Sequence, residues 1–243
     1  MKYLTQSLVA VNAALLLFVY RLYTLYSPQH MYEGSNYYKY KFAYLDEVED
    51  SLDTGDILLF SAYEFSAIRV LSSARFSHAA MVVRDAKGNI KGVDMLDNDF
   101  VAPGVVVENV HLFDIRTRIM YYAGFVYVCK CHKQLSEKNK EDIEGEVFNG
   151  RITYPSKQIL IRKYLLNTKN SSTNNFKSCV EFVTHLLKTG DIADLSSYRI
   201  ADFMHGILLL ADGNLYSKPI RLLVRYTEEE KEKNKHRFDL CTM

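Results

Sequence analysis

The stretch from Ser77 to Leu96 constrains the fold more than any other. Ser77–Val83 is an apolar run, Asp85-Ala86-Lys87-Gly88-Asn89 is rich in turn formers, and Ile90–Leu96 resumes strand character. Two such arms around a Gly/Asn-containing turn read as a β-hairpin, which commits the chain to an antiparallel sheet. Ile57–Phe60 follows the turn signal Asp53-Thr54-Gly55-Asp56 and reads as a buried strand. Val105–Val110 and Gly124–Cys131 add two strands, and Leu215–Tyr226 returns to strand character. Helices are expected at Phe65–Ser73, Ser136–Phe148, Tyr154–Leu166 and Ser178–Thr189, the last amphipathic and closed by Gly190. The polar loop Asn170–Asn175 leads into that last helix. There is no internal repeat, and the pattern reads as α+β, a small antiparallel sheet packed on helices.

The N-terminus departs from this pattern. From Tyr3 to Tyr20 no residue is charged, and from Leu8 to Tyr20 only Asn12 is polar. A membrane-spanning helix needs roughly 20 mostly apolar residues, which the run reaches through Tyr26 if Arg21 snorkels to the interface. Residues 1–26 are therefore expected to form a hydrophobic helix that anchors the chain in a membrane. A helix packed on the protein's own domain and a signal sequence are the alternatives, although no small-x-small cleavage site follows Tyr20. Residues 27–44, polar and tyrosine-rich, read as a tether, 45–227 as one domain and 228–243 as a charged tail. Arg21, Lys39 and Lys41 follow the anchor and only Lys2 precedes it, which favours the cytosol for the domain.

Charge excludes one class of partner. Lys plus Arg is 30 and Asp plus Glu is 29, without the concentrated positive charge that nucleic-acid binding requires. Four cysteines in 243 residues make no disulfide framework, a device of small chains with thin cores.

Three residues stand where side-chain chemistry would be useful. Cys179 begins a helix, where unsatisfied backbone N–H groups and the positive end of the dipole favour a thiolate and could receive an oxyanion. His78 stands near the start of an apolar strand, with Ala79 and Ala80 leaving room beside it. Asp94 lies on the returning hairpin arm, where a carboxylate can fix an imidazole tautomer and support its charge. Singly, each has an ordinary structural reading: a small buried apolar group, a strand hydrogen-bonder, a turn cap. Their combination carries the chemistry.

Several segments resemble the permuted papain-like hydrolases, the circularly permuted NlpC-like branch that includes YiiX-type proteins, poxviral relatives and lecithin:retinol acyltransferase-like enzymes. The segments are Gly55-Asp56-Ile57-Leu58-Leu59-Phe60, Ser77-His78-Ala79-Ala80-Met81-Val82, Gly104-Val105-Val106 with Leu112-Phe113-Asp114, Gly150-Arg151-Ile152-Thr153-Tyr154, and Cys179-Val180-Glu181-Phe182-Val183. They span roughly residues 50–210 in the order His, acid, Cys. Asp94 stands where Glu is more usual and Val180 where Ser is common.

The resemblance implies a permuted papain-like fold with the nucleophile at a helix N-terminus. It also implies nucleophilic acyl transfer: Cys179 attacks a carbonyl, His78 shuttles the proton and Asp94 orients the imidazole. Glu108 is the rival for the third position, with Asp97 behind it. Tyr154 and His111 are candidates for contacting substrate or oxyanion. The implied substrate is a small-molecule, lipid or peptide acyl group bound as an amide, ester or thioester, with no cofactor. The competing class is a non-catalytic lipid- or peptide-binding module on the same fold.

Cys129-Lys130-Cys131-His132 invites a zinc reading. On a strand, however, the two cysteines share one face while His132 points to the other, and structural zinc sites need four converging ligands, so no metal is expected. His185 follows Glu181 by four and reads as its local partner. His30, His205 and His236 read as structural, and Cys241 lies in the tail outside any prenylation box.

Overall fold

The computed structural model describes residues 12, 15–17, 19–20, 41–62, 76, 78–85, 87–102, 105–148, 178–195 and 215–233, with backbone alone at 96–102, 105–108, 231 and 233. Among them, strands β1 (Phe42–Tyr44), β2 (Ile57–Ala62), β3 (His78–Arg84), β4 (Ile90–Ala102), β5 (Val105–Phe113), β6 (Gly124–Cys129) and β7 (Ile220–Leu223) form one sheet. Its order is β1-β7-β6-β2-β3-β4-β5. The helices are α1 (Leu45–Val48), α2 (Ile115–Tyr121), α3 (Glu137–Phe148), α4 (Cys179–Thr189) and α5 (Glu228–Lys233). The architecture is α+β, as expected. The sheet is neither small nor purely antiparallel, however: β1 pairs parallel to β7, in register Phe42↔Arg221. That pairing joins segments far apart in sequence and uses the last three residues of the stretch read as a tether.

The hairpin forms where the turn chemistry places it. Asp85 Oδ1 accepts from the N–H of Lys87 at 2.9 Å and of Asn89 at 2.8 Å. Gly88 supplies the positive φ of 81° that a residue with Cβ rarely adopts. From this turn β3 and β4 pair antiparallel, Met81 opposite Val93. β4 then runs beyond Leu96 to Ala102, irregularly, with register shifts between Leu96 and Asp99 and between Phe100 and Ala102.

Apolar layers cover both faces of the sheet. One face carries Ile57, Leu59, Ala79, Met81, Val93 and Met95 against Phe182, Val183, Leu186 and Leu187 of α4 and Ile143 and Val147 of α3. The other carries Leu58, Phe60, Ala80, Val82 and Phe113 against Leu45 of α1 and Ile115 of α2. β2 is buried on both faces, which explains its apolar run Ile57–Phe60.

Local chemistry corrects one expectation and adds one helix. Leu215–Tyr226 is strand only at Ile220–Leu223, preceded by an isolated bridge between Tyr216 and Cys131, because Pro219 has no N–H to continue the ladder. Ile115–Tyr121 is a helix not anticipated from hydrophobic spacing, and it is started by Asp114, whose side chain accepts from Thr117 N at 2.7 Å. The helices expected at Phe65–Ser73 and Tyr154–Leu166 and the loop Asn170–Asn175 lie outside the described residues. Among the described residues no helix is long and apolar enough to cross a membrane. Of the segment read as an anchor, residues 12, 15–17 and 19–20 are described, and they are helical and exposed.

Candidate functional site

The site is built at the first residue of α4. Ser178 caps this helix: its Oγ accepts from Glu181 N at 3.4 Å, while Glu181 Oε2 accepts from both Ser178 N and Ser178 Oγ at 3.0 Å. This reciprocal capping box fixes where the helix begins, and Cys179 follows the cap directly. The Cys179 N–H therefore belongs to the first turn, whose amides have no intrahelical acceptor. The capping box also corrects the pairing expected for His185. Glu181 bends back to Ser178, and His185 Nε2 instead meets Glu146 Oε2 of α3 at 2.9 Å.

Across from the helix start stands His78, the first residue of β3, close enough to Cys179 for the thiol to act on its charge. Its Nε2 lies 2.8 Å from Asp94 Oδ2, with the His78 side chain 14% exposed and Asp94 fully buried. Since Nε2 is engaged by Asp94, Nδ1 is the ring nitrogen left for the thiol. Phe60 tilts against the imidazole, with centroids 5.2 Å apart. Cys179, His78 and Asp94, read separately from helix, strand and hairpin arm, are thus contiguous.

The electrostatics follow from this contact chain. Burial disfavours charge on His78. Against it act the negative charge of the Cys179 thiolate, the hydrogen bond to Asp94, the hydrogen bond to Cys179 and the Asp94 charge, raising His78 to about 10. Burial pushes the Asp94 carboxyl up, but contacts from His111 and His78 and the charges of His78 and Arg118 outweigh it and hold Asp94 below the usual carboxylate value. At neutral pH the arrangement favours an imidazolium paired with the Asp94 carboxylate.

The other candidates divide. His111 lies directly opposite Asp94 in the β4–β5 register. Its Nδ1 is 3.5 Å from Asp94 Oδ1, a long approach in which neither atom gains an aligned hydrogen bond. Glu108 lies on β5, and Asp97 lies on β4; the side chains of both are outside the described residues. Tyr154, His30, His205, His236 and Cys241 also lie outside them. Cys129 is fully buried in the core, and burial with the nearby Asp56 charge pushes its thiol up. Cys131 is tied to Tyr216 through the isolated bridge. Among the described residues no group of three or more His, Cys, Asp or Glu side chains could hold a metal ion.

Sequence reasoning missed Arg118 of α2. Its guanidinium is buried, with Nη2 3.8 Å from Asp94 Oδ2, and lies over the rings of Phe60, Phe113 and Tyr122 at 5.5, 5.8 and 5.7 Å. An arginine two residues after Arg116 reads as solvated, and the aromatic walls that bury it come from other elements.

Comparison with known proteins adds little. No protein-family model matches the sequence, and no curated protein matches it. Among solved structures, the chain is similar to the metalloprotein yiiX of Escherichia coli O157:H7, with 15% identity, 58% of this chain and 68% of that chain covered, and a TM-score of 0.39. That protein is of the YiiX type named in the motif resemblance, but the overlap is too loose to carry an activity from one to the other.

Proposed function

We propose that the protein is a cysteine hydrolase or acyltransferase acting on an amide, ester or thioester. The observation that supports this reading is the buried chain from the Cys179 thiol at a helix start, through His78, to Asp94 at 2.8 Å. In this reading the Cys179 thiolate attacks the substrate carbonyl carbon, forming a C–S bond and a tetrahedral oxyanion received by first-turn amides of α4. The His78 imidazolium gives its proton to the leaving nitrogen, oxygen or sulfur as that bond breaks, leaving a thioester on Cys179. His78, now neutral, takes a proton from water or from an acceptor alcohol or amine. The resulting nucleophile attacks the thioester and releases the acyl product, and the proton held on His78 restores the ion pair. Asp94 keeps Nε2 occupied, so Nδ1 is always the nitrogen presented to the thiol.

A thiol-directed acyl-mimic probe, such as a tagged acyloxymethyl ketone, tests this reading. Labelling is expected on wild type and should vanish in Cys179→Ala and fall sharply in His78→Ala. Labelling that persists in Cys179→Ala, or a wild type that never labels, sinks it. The exposed apolar side chains Leu15, Leu16, Leu17, Val19 and Tyr20 support a companion proposal, that the N-terminal segment attaches the domain to a membrane. Carbonate extraction of the full chain against a chain starting at Ser27 checks it, and a full chain recovered wholly in the soluble fraction refutes it.

A further inference from the structure

We propose that Arg118 is a positioning residue, which keeps Asp94 an ionised, correctly aimed carboxylate during the part of the cycle in which His78 has given its proton away. This inference rests on the cysteine-enzyme reading above and assigns the site a fourth member.

The groups facing one another come from five elements. Cys179 of α4 meets His78 of β3, and His78 meets Asp94 of β4. His111 of β5 approaches Asp94 Oδ1 at 3.5 Å, and Arg118 of α2 approaches Oδ2 at 3.8 Å. At rest the Asp94 carboxylate lies between the His78 imidazolium and the Arg118 guanidinium, with nearly all of the group buried. Proton donation to a leaving group changes this. Once His78 is neutral, Asp94, which has no exposed surface, would be a buried anion whose imidazolium partner has gone. A carboxylate in that position recovers a proton rather than stay charged.

Arginine is the side chain that prevents this, because it cannot be deprotonated in the accessible range. Its placement is also restrained. Phe60, Phe113 and Tyr122 surround the guanidinium, and Phe60 and Phe113 in turn contact His78 and His111 at 5.2 and 5.6 Å. Guanidinium and imidazole are therefore set by shared rings. Among the described residues Asp94 is the one ion-pair partner shown for Arg118, whereas Arg116 on the same helix pairs outward with Glu230 at 2.8 Å.

The test is the titration of His78, read by NMR of the imidazole Cε1–H in protein carrying labelled histidine, for wild type, Arg118→Met and Arg118→Lys. Removing a positive charge beside Asp94 leaves more of the carboxylate's field on His78, so the imidazolium is held more tightly. Arg118→Met is expected to move the His78 titration up by about one unit, whereas Arg118→Lys, whose ammonium is charged at the start of that titration but loses its proton close to the same pH, should move it by clearly less than Arg118→Met. A merely structural arginine predicts equal behaviour of Met and Lys, and a folded Arg118→Met that superimposes on wild type overturns the inference. If Arg118→Met does not fold, the pair Asp94→Asn and Asp94→Asn/Arg118→Met, which removes the buried carboxylate, decides. The two should titrate within about half a unit of each other, and a difference of a unit or more shows that Arg118 does not act through Asp94. An unreactive Cys179 in wild type defeats the enzyme reading itself. A reactive wild type with an unmoved Arg118→Met titration defeats only the role of Arg118.

Discussion

Asp94→Asn removes one charge while keeping the size and hydrogen-bonding reach of the side chain, so it isolates what the carboxylate contributes to His78. In the native site Nε2 and Oδ2 are 2.8 Å apart, with Asp94 fully buried and His78 nearly so. A hydrogen bond to a charged partner contributes about 1.5–3 kcal/mol, and one pKa unit corresponds to about 1.4 kcal/mol. The loss should therefore lower His78 by about 1–2 units from its value of about 10. The sign follows from the charges: the carboxylate favours imidazolium, so its neutral amide makes the ring give up its proton at lower pH. Labelled-histidine NMR reads the titration directly, with the His78 resonance assigned by its loss in His78→Asn. At pH 9 wild type should be mainly imidazolium, and Asp94→Asn should be half deprotonated or more. A titration unchanged to within about 0.3 unit would mean that the close approach of Asp94 does not govern the charge on His78, and the electrostatic account of the site would fail.

Three further outcomes follow from the geometry. Cys179→Ala should lower His78 further than Asp94→Asn does, because the thiolate is the larger of the two influences raising it; the reverse order in the same titration contradicts the ion-pair arrangement. Gly92→Ala places a Cβ 2.2 Å from two carbons of the Phe113 ring, an overpacking that costs about 1–3 kcal/mol. Thermal unfolding should therefore begin several degrees lower, and an unchanged midpoint argues against this packing. Ser178→Ala deletes the N-cap of α4 and the hydroxyl donor to the buried Glu181 carboxylate, which should destabilise the fold by about 1–2 kcal/mol, with Ser178→Thr losing less. A Ser178→Ala midpoint equal to wild type would show that the capping box does not set the helix start.

The hairpin was legible in sequence because its determinants are local: Asp85, Gly88 and Asn89 make the turn, and the apolar arms do the rest. The same holds for α4, whose cap Ser178 and stop Gly190 stand at its ends. The partnership of His185 with Glu181 was misread, although Ser178-x-x-Glu181 is itself a capping-box signature that assigns Glu181 elsewhere. The parallel β1–β7 pair had no local signal, because each strand depends on a partner almost the whole domain away. Arg118 shows the same limit in the site. Its own segment, Asp114-Ile115-Arg116-Thr117-Arg118, reads as polar surface, and only the convergence of β2, β5 and the end of α2 makes it a buried cation beside Asp94. His78, Asp94 and Cys179 could be proposed from residue type and motif order, but their contact depends on the β3–β4 register and on the start of α4 lying beside the first residue of β3.

The central claim is that Cys179 forms an acyl thioester with the help of His78, and intact-protein mass spectrometry after rapid mixing with an activated acyl ester tests it most directly. Wild type should gain the mass of one acyl group on Cys179, removable by hydroxylamine, with no adduct in Cys179→Ala and a much slower one in His78→Ala. An adduct that survives Cys179→Ala, or no adduct on folded wild type across a series of short-chain, long-chain and aminoacyl esters, would contradict the account.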